Sequence, residues 1–270
     1  MKRRRFTALL AVFLAAAAVP ARPAAAAFAD RVGATFGLMA NDFIKAAQPI
    51  EATVVSLEGN AVFLDVGELA GAQVGQELGL FRKGDSFLHP LTGRRLGRFE
   101  EPLGYAQIRR VYPQFSEATY VPRADAPRPQ PSDGARITRA RIRIAITPVL
   151  DLTASKTDVR RVPFLIASVL ERSKRFQVAD PLAVADVFSE GAMRVEELLA
   201  RPARAAAVAQ RLEVTGWLVP ILVERRGVVY LDATWLSAIT GTPLFSRRQP
   251  LLPPGGSEEQ RFPWEPRGEE

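Results

Sequence analysis

The spacing of apolar residues changes near residue 139, and this change constrains the fold more than any other feature of the sequence. Between residues 50 and 138, short segments such as "EATVVSLEGNAVFLDV" alternate apolar and polar residues and are separated by glycines. That pattern is typical of the short strands of a small, strongly twisted β-barrel. After residue 139, the strand-like segment "RIRIAITPVL" is followed by "RRVPFLIASVLERSKR", in which apolar residues recur with helical spacing.

The chain then returns to alternation in three segments, "VTGWLVPILVE", "VVYLDATWLSA" and "PLFSRR". Three successive strands joined by short turns form an antiparallel β-meander. The sequence therefore predicts an α+β fold, with a small all-β, barrel-like module over residues 50–138 and an α/β sandwich over residues 139–250. Residues 251–270 are dominated by Pro, Gly, Glu and Arg, which predicts a disordered tail.

Residues 1–27 are predicted to be a secretory signal peptide. Four basic residues, 2–5, precede a short apolar run, and small residues at 24–27 supply a cleavage site. The run is too short for a normal transmembrane helix, and no other segment could span a membrane as a helix. The expected location is therefore the bacterial periplasm or the cell exterior.

Most of the positive charge lies in this leader. The whole chain has a formal net charge of +7, but removing residues 1–27 leaves 31 basic against 29 acidic residues. A nearly balanced mature chain does not favour nucleic-acid binding. The chain contains no cysteine, which excludes disulfides, thiolate chemistry and lipid attachment at a cysteine, so we expect a protein that is not a lipoprotein.

Residues 28–49 are predicted to form an amphipathic helix that ends at Pro49. Its apolar stripe consists of Phe28, Val32, Phe36, Met39 and Phe43. Two interpretations are open. The stripe packs against the following domain, or it is an aromatic face for a protein partner or a membrane surface.

A second predicted partner-binding surface is the hairpin "ERRGVVYLDATWLSA" near the carboxyl end. It brings Arg225 and Arg226 close to Tyr230, and arginine and tyrosine are enriched at protein interfaces. The alternative is an ordinary hairpin with one buried and one solvated face. Turns are predicted at Gly59-Asn60 and at Thr240-Gly241, between alternating segments.

No residue pattern in the sequence identifies a reaction. His89 is the only histidine, and its neighbour Pro90 favours a surface loop. Glu100 and Glu101 are adjacent in a predicted strand, so their side chains point to opposite faces. We therefore predict no catalytic residues, no cofactor and no metal site, and we expect a protein that is not an enzyme.

Three aspartates, Asp151, Asp158 and Asp180, follow strands of the α/β half and could converge there. Helix capping and loop solvation are the ordinary roles of such residues. Asp180 in particular precedes Pro181, which predicts a helix that begins at this proline with Asp180 as its N-cap.

Residues 51–121 resemble the carboxy-terminal β-domain of the flagellar assembly protein T family. The resemblance lies in "VVSLEGNAVFLDVG", "GAQVGQELGLFR" and "HPLTGRRLGRFEEPLGYAQIRRVYPQFSEATYV". Such domains have a Pro-x-Thr-Gly turn and a glycine that leads the closing strand. The resemblance implies structural turns at Pro90, Thr92 and Gly93 and a structural role for Gly104, and it places His89 where an acidic residue is usual.

Residues 142–248 are similar to the α/β domain shared by the curli secretion lipoprotein family, the TolB amino-terminal domain and the middle domain of flagellar assembly protein T. The similarity lies in "RIAITPVLD", "RFQVAD", "LEVTGWLVPILVE" and "LDATWLSAITGTPLFS". Unlike the curli family, this chain has no cysteine and no obvious pair of amphipathic hairpins. Its β-domain also precedes the α/β domain, whereas in the flagellar protein the β-domain is last.

These resemblances imply a periplasmic accessory protein that acts by protein–protein contacts in a cell-envelope complex of flagellar or fibre-secretion type. Self-association and a peripheral contact with the outer membrane or cell wall are left open. A module that binds cell-wall glycan or a small ligand is the alternative. In that case Tyr105, Tyr112, Tyr230 and Trp235 are the aromatic residues expected to stack on sugars.

Overall fold

A computed structural model describes residues 24–189 and 193–253, and these residues form an α+β protein with two sheets. The chain begins with helix α1 (Ala24–Ala46), whose first four residues overlap the predicted leader. The remainder of the leader, residues 1–23, lies outside the described part of the chain. No helix within the described ranges is long and apolar enough to cross a membrane.

The β module consists of six strands that form a closed ring. The strands are β1 (Ile50–Glu58), β2 (Ala61–Leu64), β3 (Glu77–Leu88), β4 (Arg95–Val111), β5 (Ser116–Pro122) and β6 (Gly134–Ile137). Their order around the ring is β1-β2-β5-β4-β3-β6, and β6 pairs again with β1. The inward-facing residues of these strands, among them Val54, Leu64, Leu80 and Ile108, fill the interior with apolar side chains.

The chain after the barrel contributes the second sheet and four helices to the α/β domain. Its strands are β7 (Ile142–Ile146), β8 (Leu150–Asp151), β9 (Phe176–Val178), β10 (Gly216–Arg225), β11 (Val228–Ser237) and β12 (Pro243–Pro250). Its helices are α2 (Val162–Arg172), α3 (Pro181–Ser189), α4 (Val195–Ala200) and α5 (Pro202–Arg211). The predicted meander is confirmed, because β10, β11 and β12 pair antiparallel in sequence order, while β7 pairs parallel with both β9 and β10.

Helix α1 packs against this second sheet and not against the barrel that follows it in sequence. Phe36 and Phe43 lie in one core with Ile144 and Ile146 of β7 and with residues of α2. Helices α3, α4 and α5 cover the opposite face of the sheet, around Trp217. The α/β domain therefore comprises residues 24–46 together with the chain after residue 139, and the barrel is inserted between α1 and β7.

Arg175 joins the two chain segments that cross between the domains. Its guanidinium donates to the carbonyl oxygen of Ala47, where the chain leaves for the barrel, and to those of Thr138 and Ala140, where it returns, the last two at 2.5 Å. The side chain is buried, and this burial lowers the pKa of Arg175. Its three carbonyl acceptors hold both crossings together at the base of the barrel.

Four glycines named in the turn predictions have positive φ in the structure. Gly59, Gly93 and Gly241 adopt φ values of 59°, 64° and 67°, a region that favours glycine. Gly104 has a φ of 140°, and a Cβ there would lie 2.4 Å from the Val121 carbonyl oxygen. At Gly241 a Cβ would lie 1.9 Å from the Pro202 carbonyl oxygen, so this turn packs directly on the start of α5.

The predicted disordered tail begins too early. Leu251 is buried in the core under α1, and its N–H donates to the carbonyl oxygen of Val229. Leu252 bonds to α1 through the Arg31 side chain at 2.6 Å and the Thr35 hydroxyl at 3.1 Å. Residues 251–253 therefore extend the ordered domain, and residues 254–270 lie outside the described part of the chain.

Candidate functional site

Strands β3 and β4 extend beyond the barrel as a two-stranded arm. The last pairing with a barrel neighbour is at Phe81, which faces Gly134 on β6, and at Gly104, which faces Pro122 on β5. Residues 82–88 and 95–103 pair only with each other. At about 3.3 Å per residue, this arm projects roughly 20 Å from the barrel.

The arm exposes large apolar side chains on an unsupported ribbon. Phe99 is 60% exposed and Leu91, at the tip, is 90% exposed. Phe87 and Phe99 contact each other edge to face, with ring centroids 5.3 Å apart, but no other layer covers them. The five exposed apolar residues of the arm are Phe87, Leu88, Leu91, Leu96 and Phe99. An isolated hairpin of this kind is marginally stable in water, so such a surface is typical of a binding site.

Positive charge surrounds these apolar residues. Residues 83–99 contain Lys83, Arg94, Arg95 and Arg98 against a single acidic residue, Asp85. Among the described residues none of these arginines forms an ion pair with a carboxylate, in contrast to Arg136 at the base of the arm. The arm thus presents an apolar centre with uncompensated cations, a combination that suits an apolar surface with an acidic rim.

The histidine at the tip has a structural role. His89 Nδ1 accepts hydrogen bonds from the N–H groups of Leu91 and Thr92, at 3.2 and 3.3 Å. The backbone closes the same turn, because Gly93 N–H donates to the His89 carbonyl oxygen at 2.9 Å. An aspartate side chain commonly accepts such bonds in turns. His89 is therefore the side-chain acceptor that holds this turn.

The base of the arm is fixed to the barrel. Arg136 on β6 donates through both terminal nitrogens to the carboxylate of Glu100 on β4, one bond being 2.9 Å. The same guanidinium lies over the Phe81 ring, 4.3 Å from its centroid. On the other side, Arg82 donates to both oxygens of Asp133, which is buried. These contacts set the direction in which the arm leaves the barrel.

The apolar stripe of α1 is not an accessible partner surface. Val32, Phe36, Met39 and Phe43 are all buried within this chain, and Phe28 is half-buried. The prediction of a partner-binding face at these residues is wrong, because the sheet of the α/β domain covers them. The alternative interpretation holds only in part: the stripe packs within this chain, but on the α/β sheet and not on the barrel, which is the domain that follows it in sequence.

The second predicted surface lies apart from the arm, at the turn between β10 and β11. Arg225 and Arg226 are exposed there, and Tyr230 is half-buried opposite Pro250. This location leaves their role in partner binding as a prediction. Of the four residues expected to stack on sugars, Tyr105 and Trp235 line the same cleft between the domains, whereas Tyr112 stacks on Phe115 with centroids 4.3 Å apart.

A half-buried carboxylate bridges the two domains at that cleft. Glu77 Oε2 accepts hydrogen bonds from Gln107 on the barrel and from Ser237 on β11, each at 2.7 Å. Burial raises the pKa of Glu77, and the bonds from Gln107 and Ser237 and the charge of Arg109 oppose that shift without cancelling it. No local sequence pattern marks this residue, because its burial depends on how the domains pack.

The three aspartates of the α/β half have separate local roles. Asp151 accepts from the Thr153 hydroxyl at 2.7 Å, and Asp180 caps α3 by accepting from Leu182 N–H at 3.0 Å. Hydrogen bonds from Arg160 lower the pKa of Asp158 to about 2. Over residues 24–189 and 193–253, no three acidic or histidine side chains are grouped as metal ligands would be.

The sequence pattern does not predict the projecting arm, because its segments resemble separate short strands. The sequence of this module predicts short strands, whereas β4 runs without interruption over 17 residues. Register shifts after Leu80 and after Lys83 disturb the alternation that would mark one long hairpin. The available signal was the concentration of apolar residues and arginines on both sides of the "HPLTG" turn.

Comparison with known proteins gives a partial structural similarity and no family. No family model matches the chain, and no curated protein matches it. The LpoB C-terminal domain from Escherichia coli is similar over 43% of this chain and 86% of that one, with 11% identity and a TM-score of 0.36. The NMR structure of E. coli LpoB covers 42% of this chain and 57% of that one, with 12% identity and a TM-score of 0.36.

A third solved structure, lipoprotein GNA1162 from Neisseria meningitidis, matches 40% of this chain and 81% of its own, with 15% identity and a TM-score of 0.30. The protein described by that name is a lipoprotein, whereas the present sequence has no cysteine. Similarity at this level carries no functional conclusion, and the resemblance to the flagellar and curli families stays a prediction.

Proposed function

We propose that this chain is an exported, non-enzymatic accessory protein of a cell-envelope assembly, and that it binds a protein partner through the β3–β4 arm. One observation carries the proposal: five large apolar side chains lie exposed on a two-stranded ribbon that no other part of the described chain covers. Export rests on the leader-like residues 1–27, and assembly into a flagellar or fibre-secretion complex rests on the family resemblance.

The arm has the composition of an interface centre. A stable protein–protein contact buries on the order of 1,000 Å² with an apolar centre and a polar rim. Phe87 and Phe99 can supply an aromatic centre, and Leu91 extends it to the tip. Binding in a groove would cover both faces of the ribbon and remove the cost of keeping these side chains in water.

Charge defines the partner more closely. The unpaired cations at Arg94, Arg95 and Arg98 favour a groove with an acidic rim, and they would increase the rate of encounter with such a surface. The free edges of β3 and β4 along the arm also offer backbone groups to an added strand. The partner is therefore a protein with an apolar, acid-rimmed groove.

Site-specific photocrosslinking in cells tests the proposal. The photoreactive residue p-benzoylphenylalanine would replace Leu91 on the arm or, as a matched control, Leu182 on α3, which is 61% exposed. The proposal predicts one discrete adduct from position 91 and none of the same size from position 182. Adding Arg94→Glu and Arg95→Glu should weaken that adduct, because reversed charge would repel an acidic rim.

Two outcomes would count against the proposal. Positions 91 and 182 would give the same adducts if contact at the arm were incidental. An adduct from position 91 that persists unchanged with Arg94→Glu and Arg95→Glu would show that charge does not define the partner.

A further inference from the structure

A cleft of about 550 Å³ lies between the barrel and the α/β domain. Its α/β side is an aromatic floor formed by Phe43, Trp235 and Phe245, whose rings contact one another at centroid distances of 5.1 to 6.4 Å. Phe81 and Tyr105 line the barrel side. Small-molecule sites commonly have this size and a mainly apolar lining with a few polar groups.

Two glycines allow the aromatic floor to form. A Cβ at Gly216 would lie 2.6 Å from the Trp235 ring, and a Cβ at Gly75 would lie 2.8 Å from the Phe245 ring. Gly75 belongs to the barrel and Phe245 to β12, so the second contact joins the domains at the cleft. Trp235 and Phe245 are held nearly parallel, at an interplanar angle of 16°, while both remain partly exposed.

One polar group at the cleft has no partner. Gln76 lines the cleft and is 99% buried, with a relative exposure of 1%. Its side-chain oxygen accepts from Gln73 N–H at 2.9 Å, but its side-chain nitrogen has no hydrogen bond in the described chain. A buried donor without a partner costs about 1–3 kcal/mol, so this nitrogen is an unsatisfied polar group in a residue that lines the cleft.

The rim of the cleft carries an excess of positive charge. Arg136 and Arg143 line it but are paired with Glu100 and Glu213. Arg123 and Arg141 also line it, are exposed, and form no ion pair with a carboxylate in the described ranges. Glu77 also lines the cleft, but its carboxylate accepts from Gln107 and Ser237. Arg141 Nε donates to the Lys174 carbonyl oxygen at 3.3 Å, so its terminal nitrogens and the Arg123 guanidinium are the cationic groups offered to a ligand.

We infer that this cleft binds an organic anion whose flat or apolar body lies on the aromatic floor while its carboxylate, phosphate or sulfonate pairs with Arg123 and Arg141. The cleft adjoins the base of the arm at Phe81, Glu100 and Pro102, but the arginines and the aromatic floor proposed to hold the ligand lie outside the arm. The inference therefore stands whether or not the arm binds a protein. Both kinds of contact are required, because the aromatic floor supplies apolar contact area and the arginines select for a negatively charged group.

Paired fluorescent probes test the two contacts separately in the full chain. The anionic probe is 1-anilinonaphthalene-8-sulfonate, and the neutral probe, N-phenyl-1-naphthylamine, has the same aromatic body without the sulfonate. In Arg123→Gln/Arg141→Gln we expect the sulfonate probe to bind about tenfold more weakly, since charge-assisted bonds are lost, and the neutral probe to bind unchanged. Both arginines are exposed, so the variant should fold normally.

Two further variants keep the result specific. Arg94→Gln/Arg98→Gln removes the same charge from the arm and should leave the affinity for either probe within about twofold, as expected for distant exposed charges. Ala46→Trp would fill the cleft beside Phe43 and should weaken both probes. Equal loss of the sulfonate probe in the two arginine pairs, or unchanged binding of both probes in Ala46→Trp, would overturn the inference.

Displacement of the sulfonate probe separates two natural sources of this chemistry. Dodecyl phosphate represents an acyl-chain anion such as a phospholipid, and N-acetylmuramic acid represents an acidic sugar. Displacement by either, lost in Arg123→Gln/Arg141→Gln, supports the site and assigns its source. Failure of both to displace the probe would contradict an organic anion as the occupant.

Discussion

The α1 stripe and the β3–β4 arm carry similar sets of large apolar residues and have opposite positions in the molecule. Four of the five stripe residues are buried, while the five arm residues are 47–90% exposed. The stripe packs on a face of the α/β sheet, whereas the arm extends past the last strands that pair with β3 and β4 in the barrel. Apolar periodicity therefore indicates that a face will be covered, but it does not reveal what covers it.

Truncating a stripe residue should have the largest effect. Phe36 is fully buried in the core beneath α1 and contacts the Phe43 ring, with centroids 5.6 Å apart. We expect Phe36→Ala to lower the free energy of unfolding by about 3–5 kcal/mol, because it removes buried area and leaves a cavity. Urea denaturation measures this, with Phe99→Ala on the arm as the control. Equal losses of unfolding free energy in Phe36→Ala and Phe99→Ala would contradict the assignment of the stripe to the core and of the arm to the surface.

Substitution of Arg175 should have the second largest effect on stability. Arg175→Met keeps much of the side-chain volume but leaves the carbonyls of Ala47, Thr138 and Ala140 without their donor. We expect a loss of about 2–4 kcal/mol, since buried acceptors lose charged partners. Because Arg175 joins both chain segments that cross between the domains, the two domains of Arg175→Met should also unfold in separate transitions. Arg172→Met, at an exposed position on α2, should change stability by less than about 0.5 kcal/mol.

Glu77 should make stability depend on pH in an identifiable direction. Its pKa is raised above 4.5 in the folded protein, so between that value and the folded pKa the folded state binds more protons than the unfolded state. The free energy of unfolding contributed by Glu77 therefore falls as pH rises through this window. Glu77→Gln should flatten this decline of stability above pH 4.5.

Urea denaturation at a series of pH values measures the effect of Glu77→Gln. The control is Glu101→Gln, which changes an exposed carboxyl on β4. It should leave the slope of stability against pH unchanged. A Glu77→Gln protein with the wild-type slope would show that this carboxylate does not couple domain packing to pH.

Substitutions on the arm should have the smallest effect on stability. Leu91→Ser/Phe99→Ser removes two exposed apolar side chains, so the free energy of unfolding should change by less than about 0.5 kcal/mol. The same variant should lose the proposed partner, which sharpens the contrast with the stripe. Co-purification and thermal unfolding of one preparation measure both properties, with Leu182→Ser as the control. Loss of stability equal to that of Phe36→Ala would show that the arm is part of the core.

Local features of the fold were predictable from sequence because their causes are local. The turn at Gly59 follows from a backbone angle that glycine tolerates, and the start of α3 follows from Asp180 and Pro181. The α+β class and the meander followed from the change of period. These features depend on residues within a few positions of each other, which is the range that sequence patterns cover.

Features that depend on distant pairing were not predictable. Arg175 binds carbonyls 35, 37 and 128 residues away, and no local pattern marks an arginine for that role. Because the barrel is inserted between α1 and β7, the stripe packs on a sheet whose strands lie about 100 residues further along the chain, and a local pattern cannot identify that sheet. The cleft and the Glu77 bridge exist only after both domains have packed, so residues such as Tyr105 and Trp235 could be named without being placed together.

Cysteine labelling tests the contrast between stripe and arm most directly, because the natural chain has no cysteine to interfere. Met39→Cys and Leu91→Cys would each be treated with a maleimide, first as purified protein and then in intact envelopes. We expect Met39→Cys to stay unreactive in both until the protein is unfolded. Leu91→Cys should react at once when purified and become protected in envelopes, where the partner is present. Rapid labelling at position 39, or equal labelling of position 91 in both settings, would contradict the assignment of core and interface.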